Sequence, residues 1–179
     1  MQPQTNQLLW RLAHAGDLDA QEQIVKQYQS RIAGFVYAFL GTSDPVQDLS
    51  QQIFVRALVA LPGLRNLDQV EAWLFRIARN SCLTHLRKQK LYRLFVPFES
   101  EYQEPMEEVQ EDRSEELAWL RREILRLPTA QRELVTLLQD DEKSYEELAK
   151  ITGRSVSSVK SLLFRARETL KKRREYGEY

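Results

Sequence analysis

The 179-residue chain has one cysteine, Cys82, and two histidines, His14 and His85. A single thiol excludes an internal disulfide framework, and so few sulfur and imidazole groups exclude a Cys/His zinc site. No run approaches the ~18 consecutive apolar residues of a membrane span. The first twenty residues lack a basic segment followed by an apolar one, so no secretory signal is expected. There is no glycine-rich phosphate loop, no plausible carboxylate pair and no metal-ligand cluster, which argues against an enzyme and against a cofactor or metal. These absences together predict a cytoplasmic, non-catalytic protein.

Net charge is absent as well, since 26 Lys and Arg balance 26 Asp and Glu. Taken alone, that argues against nucleic acid, but the distribution says otherwise. Residues 1–91 carry ten basic groups against seven acidic, 92–116 two against nine, and 117–179 fourteen against ten. An acidic ribbon separates two basic ends, and within 154–174 eight basic residues meet one acid. Asymmetry of this kind points to anionic partners for the ends.

Strand alternation is missing too; the periodic stretches have helical spacing, which predicts an all-α fold. Helices are expected near 5–15, 19–40, 44–61 and 68–90, then near 115–126, 130–139, 145–151 and 156–173. Ile24, Tyr28, Ile32, Phe35 and Phe39 share one face of the second, and Gly41 stops it. Thr42-Ser43-Asp44-Pro45 is a helix-start signal, and Asp68-x-x-Glu71 and Ser144-x-x-Glu147 have capping-box spacing. From Leu91 to Arg113 the periodicity vanishes amid two prolines and seven acids, a linker composition. The expected organisation is two small helical domains, 1–90 and 114–179, joined by an acidic flexible linker, 91–113. At about 3.3 Å per residue that linker reaches ~76 Å.

The segment 144–167 is the most informative. It reads as a helix-turn-helix, with Gly153 at the turn and Leu148, Ala149, Ile151, Val156, Val159, Leu163 and Ala166 as the buried interface. The free face of its second helix carries Ser157, Ser158, Lys160, Ser161, Phe164 and Arg165. Serine pairs with several base edges, while Arg and Lys read guanine or hold phosphate, so this face suits a DNA major groove. The plainer reading is a helical hairpin with a basic end.

Two earlier helices carry further signals. Helix 44–61 turns Leu49, Ile53, Phe54, Ala57, Leu58 and Leu61 to a core and leaves Asp48, Gln51, Gln52, Val55, Arg56 and Val59 elsewhere. A mixed polar face is ordinarily just solvated, but two valines beside acid and amide groups favour a protein contact. Helix 68–90 turns Val70, Trp73, Leu74 and Ile77 inward and shows a stripe of Arg76, Arg79, Asn80 and Arg87, extended by Lys88 and Lys90. Few acids interrupt it, so phosphate binding and a solvated basic face both fit. Cys82 reads as a small core residue rather than a redox switch.

These three elements in this order resemble the extracytoplasmic-function group of the sigma-70 superfamily, over roughly 8–91 and 114–174. Asp48-Leu49-Ser50-Gln51-Gln52-Ile53-Phe54-Val55-Arg56-Ala57 is similar to the group's polymerase-binding helix. Ala72-Trp73-Leu74-Phe75-Arg76-Ile77-Ala78-Arg79-Asn80, followed by Leu86-Arg87-Lys88, is similar to its promoter-melting helix, and 127–167 to its −35-reading domain. Gln52 stands where the group often has an acid, and Thr84 where it often has Asp. The resemblance implies a sigma factor whose partners are core RNA polymerase, promoter DNA and an anti-sigma factor. It implies polymerase contacts at Asp48, Gln51, Gln52, Val55 and Arg56. It implies −10 DNA contacts at Arg65 and Asn66, within a loop Gly63–Asp68 that receives an unstacked base, and at Arg76, Arg79, Asn80, Arg87 and Lys88. It implies −35 contacts at Arg154, Ser157, Ser158, Lys160, Ser161, Phe164 and Arg165. The residues by themselves leave one alternative open, a helix-turn-helix regulator that binds DNA without being a polymerase subunit.

Overall fold

The helices form where the apolar period predicts them. In the computed structural model, which describes residues 3–95, 115–138 and 143–175, they are α1 (Pro3–His14), α2 (Leu18–Leu40), α3 (Val46–Ala60), α4 (Val70–Phe95), α5 (Glu115–Leu125), α6 (Thr129–Leu138), α7 (Tyr145–Thr152) and α8 (Val156–Glu175). A single 3-10 turn, Leu61–Gly63, follows α3, and no strand occurs among the described residues.

The ends of α2 show the local chemistry. Asp17 caps it by accepting from the Ala20 N–H at 2.8 Å, satisfying one of the unpaired donors of the first turn. Gly41 ends it with φ +78°, its N–H bonded to the Tyr37 carbonyl at 2.8 Å. A Cβ at Gly41 would lie 2.5 Å from Leu125 Cδ1, so a larger residue there would push that side chain of α5 aside.

Two expected start signals work differently from their spacing. The position before α3 is Pro45, with no side-chain cap; instead a backbone turn bonds the Val46 N–H to the Ser43 carbonyl at 2.9 Å. Asp68 and Glu71 do not close a capping box, and α4 starts only at Val70. Asp68 accepts from Gln7 Nε2 at 3.1 Å, while Glu71 accepts from the Tyr28 hydroxyl at 3.1 Å and from Arg31 at 2.7 Å. Partners from α1 and α2 thus hold both carboxylates, the guanidinium being a stronger donor than a free helix-end N–H.

In the N-terminal half the core is aromatic: Trp10, Tyr28, Phe35, Phe39 and Phe75 are buried with Ile24, Ile32, Ile53 and Leu74. Each such side chain contributes about 1.5–3 kcal/mol of burial. Tyr28 is fully buried yet satisfied, its hydroxyl accepting from Asn6 and donating to Glu71, and burial pushes its phenol up. Cys82 is buried as expected, and desolvation pushes its thiol up to about 12. Trp73 and Ile77, expected inward, are only half-buried; Phe75, which the stripe omitted, takes the fully buried place.

The two helical parts pack against each other. Leu134, Leu137, Leu148, Ile151, Val159 and Leu163 of the C-terminal half belong to the same apolar cluster as the N-terminal core. Helix α2 packs on α6, and α4 on α7. Arg132 donates to the Phe39 carbonyl at 3.3 Å, and Lys143 sits 4.3 Å above the Phe75 ring. Burial lowers the Arg132 pKa. Helix α4 also runs on through Phe95, taking five residues from the segment expected as linker; the rest of that linker lies outside the described residues.

Candidate functional site

Three surfaces carry the residues of interest. On α3, burial of Leu49, Ile53, Phe54 and Ala57 leaves the opposite side exposed. Asp48, Gln51, Gln52, Val55 and Arg56 line one shallow depression there of about 270 Å³. Val55 is 56% and Val59 79% exposed. Arg56 is steadied from α4, donating to Ser81 Oγ at 3.0 Å. All five residues expected to act together are brought together.

The second surface combines α4 with the loop 64–69. Arg65 and Asn66 are exposed, and Asn66 Oδ1 accepts from the Asp68 N–H at 2.7 Å, which shapes a tight turn. Arg76, Asn80, Arg87 and Lys88 are exposed along α4. Thr84, where the resembled family often has Asp, donates back to its own helix at the Asn80 carbonyl, 2.8 Å. Arg79 is only half-buried, and it does not face open solvent. Its Nε lies 3.0 Å from Glu133 Oε1 of α6, an ion pair without the alignment of a hydrogen bond. Arg76 donates to the Lys150 backbone carbonyl of α7.

The third surface is α7–α8. Ser144 and Glu147 close a full capping box, and Gly153 makes the turn at φ +70°. Leu148, Ile151, Val159, Leu163 and Ala166 are buried as expected, with Ala149 and Val156 half-buried. Ser155 Oγ accepts from the Ser158 N–H at 3.2 Å at the start of α8. Ser157, Lys160, Ser161, Phe164 and Arg165 form one exposed face, with Phe164 65% exposed; Ser158 is half-buried beside them. Lys160 Nζ lies 5.6 Å from the centre of the Tyr145 ring. Arg154, expected with this group, is drawn instead towards Glu133, at 3.8 Å.

Glu133 is therefore a residue the sequence reading missed. It is 1% exposed and pairs with one arginine from each half. A signal existed: Glu133 lies four residues before Leu137, on the face that helix α6 buries, and a buried acid demands a cation.

Comparison with known proteins places this geometry. The sigma-70 region 2 family matches residues 24–92, and the sigma-70 region 4 family matches 117–170. The RNA polymerase sigma-H factor of Pseudomonas aeruginosa is 33% identical over 182 residues, covering 96% of this chain and 94% of that one. The ECF RNA polymerase sigma-E factor of Escherichia coli K12 is 32% identical over 177 residues, covering 93% and 92%. Among solved structures, CnrH in complex with the cytosolic domain of CnrY superposes with a TM-score of 0.74 at 26% identity, covering 97% of this chain and 99% of that one. The chain belongs to the sigma-70 family. Within that family it is an RNA polymerase sigma factor of the extracytoplasmic-function group, which removes the alternative of a regulator acting apart from polymerase. Among the described residues no helix is long and apolar enough to cross a membrane.

Proposed function

We propose that this sigma factor joins core RNA polymerase through the open face of α3, with Asp48, Gln51, Gln52, Val55 and Arg56 as the contact set. The observation that carries this reading is their convergence on one exposed depression, on a different helix from the cationic faces. Arg65 and Asn66 of the loop, with Arg76, Arg79, Asn80, Arg87 and Lys88 of α4, take the opened −10 strand. Ser157, Ser158, Lys160, Ser161, Phe164 and Arg165 of α8 enter the −35 major groove, with Arg154 beside them. The protein catalyses nothing itself: it works in the cytoplasm as a specificity subunit with no cofactor or metal, and an anti-sigma factor is its regulatory partner.

Arg76 and Arg79 are engaged between the halves, so their use on DNA requires the halves to part, whereas Arg154 has its acid, Glu133, within its own half. Length permits it. The 19 residues between Phe95 and Glu115 reach ~63 Å at about 3.3 Å each, against ~50 Å between promoter elements one and a half turns apart at roughly 34 Å per turn. The test of the reading is core association. Val55→Asp, at an exposed position, should leave the helical signal intact and weaken core binding at least about 30-fold, the loss of about 2 kcal/mol typical of an interface anchor. Undiminished association would remove α3 as the polymerase face.

A further inference from the structure

Helix α1 precedes the segment matched by the region 2 family, and nothing above assigns it a role. We propose that α1 positions the loop between the 3-10 turn and α4, with His14 and Gln7 as positioning residues for strand opening. The inference rests on the reading of Arg65 and Asn66 as the residues that meet an unstacked base.

Two long-range hydrogen bonds carry it. His14 Nε2 lies 3.1 Å from the Leu64 carbonyl oxygen, fifty residues along the chain. A carbonyl only accepts, so the imidazole carries its proton on Nε2. Gln7 Nε2 donates to Asp68 Oδ1 at 3.1 Å. The two bonds fall on either side of Arg65 and Asn66, both exposed, while Leu64 and Leu67 pack partly buried against the core. Between the pins the Asp68 N–H bonds Asn66 Oδ1 at 2.7 Å, closing the turn that presents the exposed pair.

The helix supplying the pins is itself held. Trp10 and Ala13 are buried, Asn6 donates to the Tyr28 hydroxyl at 3.1 Å, and Gln21 donates to the Ala13 carbonyl at 3.3 Å. Loop shape is therefore set during folding, and the ordering cost is not met again when a strand binds. This is support from behind the residues that touch DNA.

The experiment uses full-length chains assembled with core polymerase, on a promoter that the wild-type holoenzyme transcribes. 2-Aminopurine in the non-template −10 segment reports unstacking. His14→Ala should slow or diminish the fluorescence rise 5- to 10-fold, with core affinity and closed-duplex binding unchanged within twofold. His14→Gln places an amide donor at nearly the same reach and should restore opening to within twofold of wild type. Gln7→Ala, at an exposed position, should give a two- to threefold loss. Wild-type opening by both His14→Ala and Gln7→Ala overturns the proposal, as does an opening loss that tracks lowered thermal stability and is not rescued by His14→Gln. If His14→Ala fails to fold, Gln7→Ala decides alone. Arg65→Ala and Asn66→Ala separate the two levels: if neither affects opening, the loop reading fails, whereas if they impair it and the α1 variants do not, only the role of α1 fails.

Discussion

Two nearly buried glutamates in the C-terminal half solve the same problem differently. Glu123 on α5 has cations within its own half: Arg126 one turn on and Arg173 near the end of α8, both at 2.7 Å. Glu133 on α6 has Arg154 only at 3.8 Å, and its nearer partner, Arg79 at 3.0 Å, comes from the N-terminal half. A carboxylate taken out of water must be paired in either case. Where the cation comes from decides whether the pair is an internal brace or a contact between parts. Glu123 ties the last helix to the first of its half, whereas Glu133 occupies arginines assigned to two promoter elements.

That contrast can be broken by substitution. The largest effect is expected at Glu123, where Glu123→Ala strands Arg173 at 27% side-chain exposure and should cost about 2–4 kcal/mol. A denaturant titration followed by helical signal measures it, and a loss no larger than that of Glu133→Ala would erase the distinction. Glu133→Gln is expected to act on the contact instead. Affinity of the free chain for promoter DNA should rise about tenfold, or about 1.4 kcal/mol, and the distance between labels on α3 and α8 should lengthen. If neither moves, the pair with Arg79 does not hold the halves closed. The smallest effect belongs to Arg165, outside both clusters. Arg165→Ala should weaken −35 binding and flatten its log–log salt slope by about one if it holds a phosphate. The loss should add to the gain from Glu133→Gln, since the two sites share no partner. An unchanged slope with altered base preference would make Arg165 a base reader.

Much of this was legible in the chain. The helices appear within a few residues of their apolar periods, and Ser144 with Glu147 forms the capping box its spacing predicts. The exposure of the α3 face was readable because it follows directly from helical phase. What escaped reading is long-range and polar. Asp68 and Glu71 have a local cap pattern, but their partners stand on α1 and α2. The partner of Arg79 and Arg154 escaped reading for the same reason, since a buried acid on α6 is not adjacent in sequence to either arginine. The five residues of α4 beyond Lys90 looked like linker because that stretch lacks a core-facing stripe, yet Leu91, Tyr92, Leu94 and Phe95 are helical and exposed.

Sequence alone determined the all-α class, the helix-turn-helix with its cap and its glycine turn, and the exposed set on α3. All of these depend on interactions within a few residues, where spacing translates directly into geometry. Only the tertiary structure decided that the halves share a core, that Glu133 claims arginines from both, and that α1 braces the loop at Leu64 and Asp68. Such pairings join residues tens of positions apart, and no local period encodes which distant charge or carbonyl will fold against a given side chain.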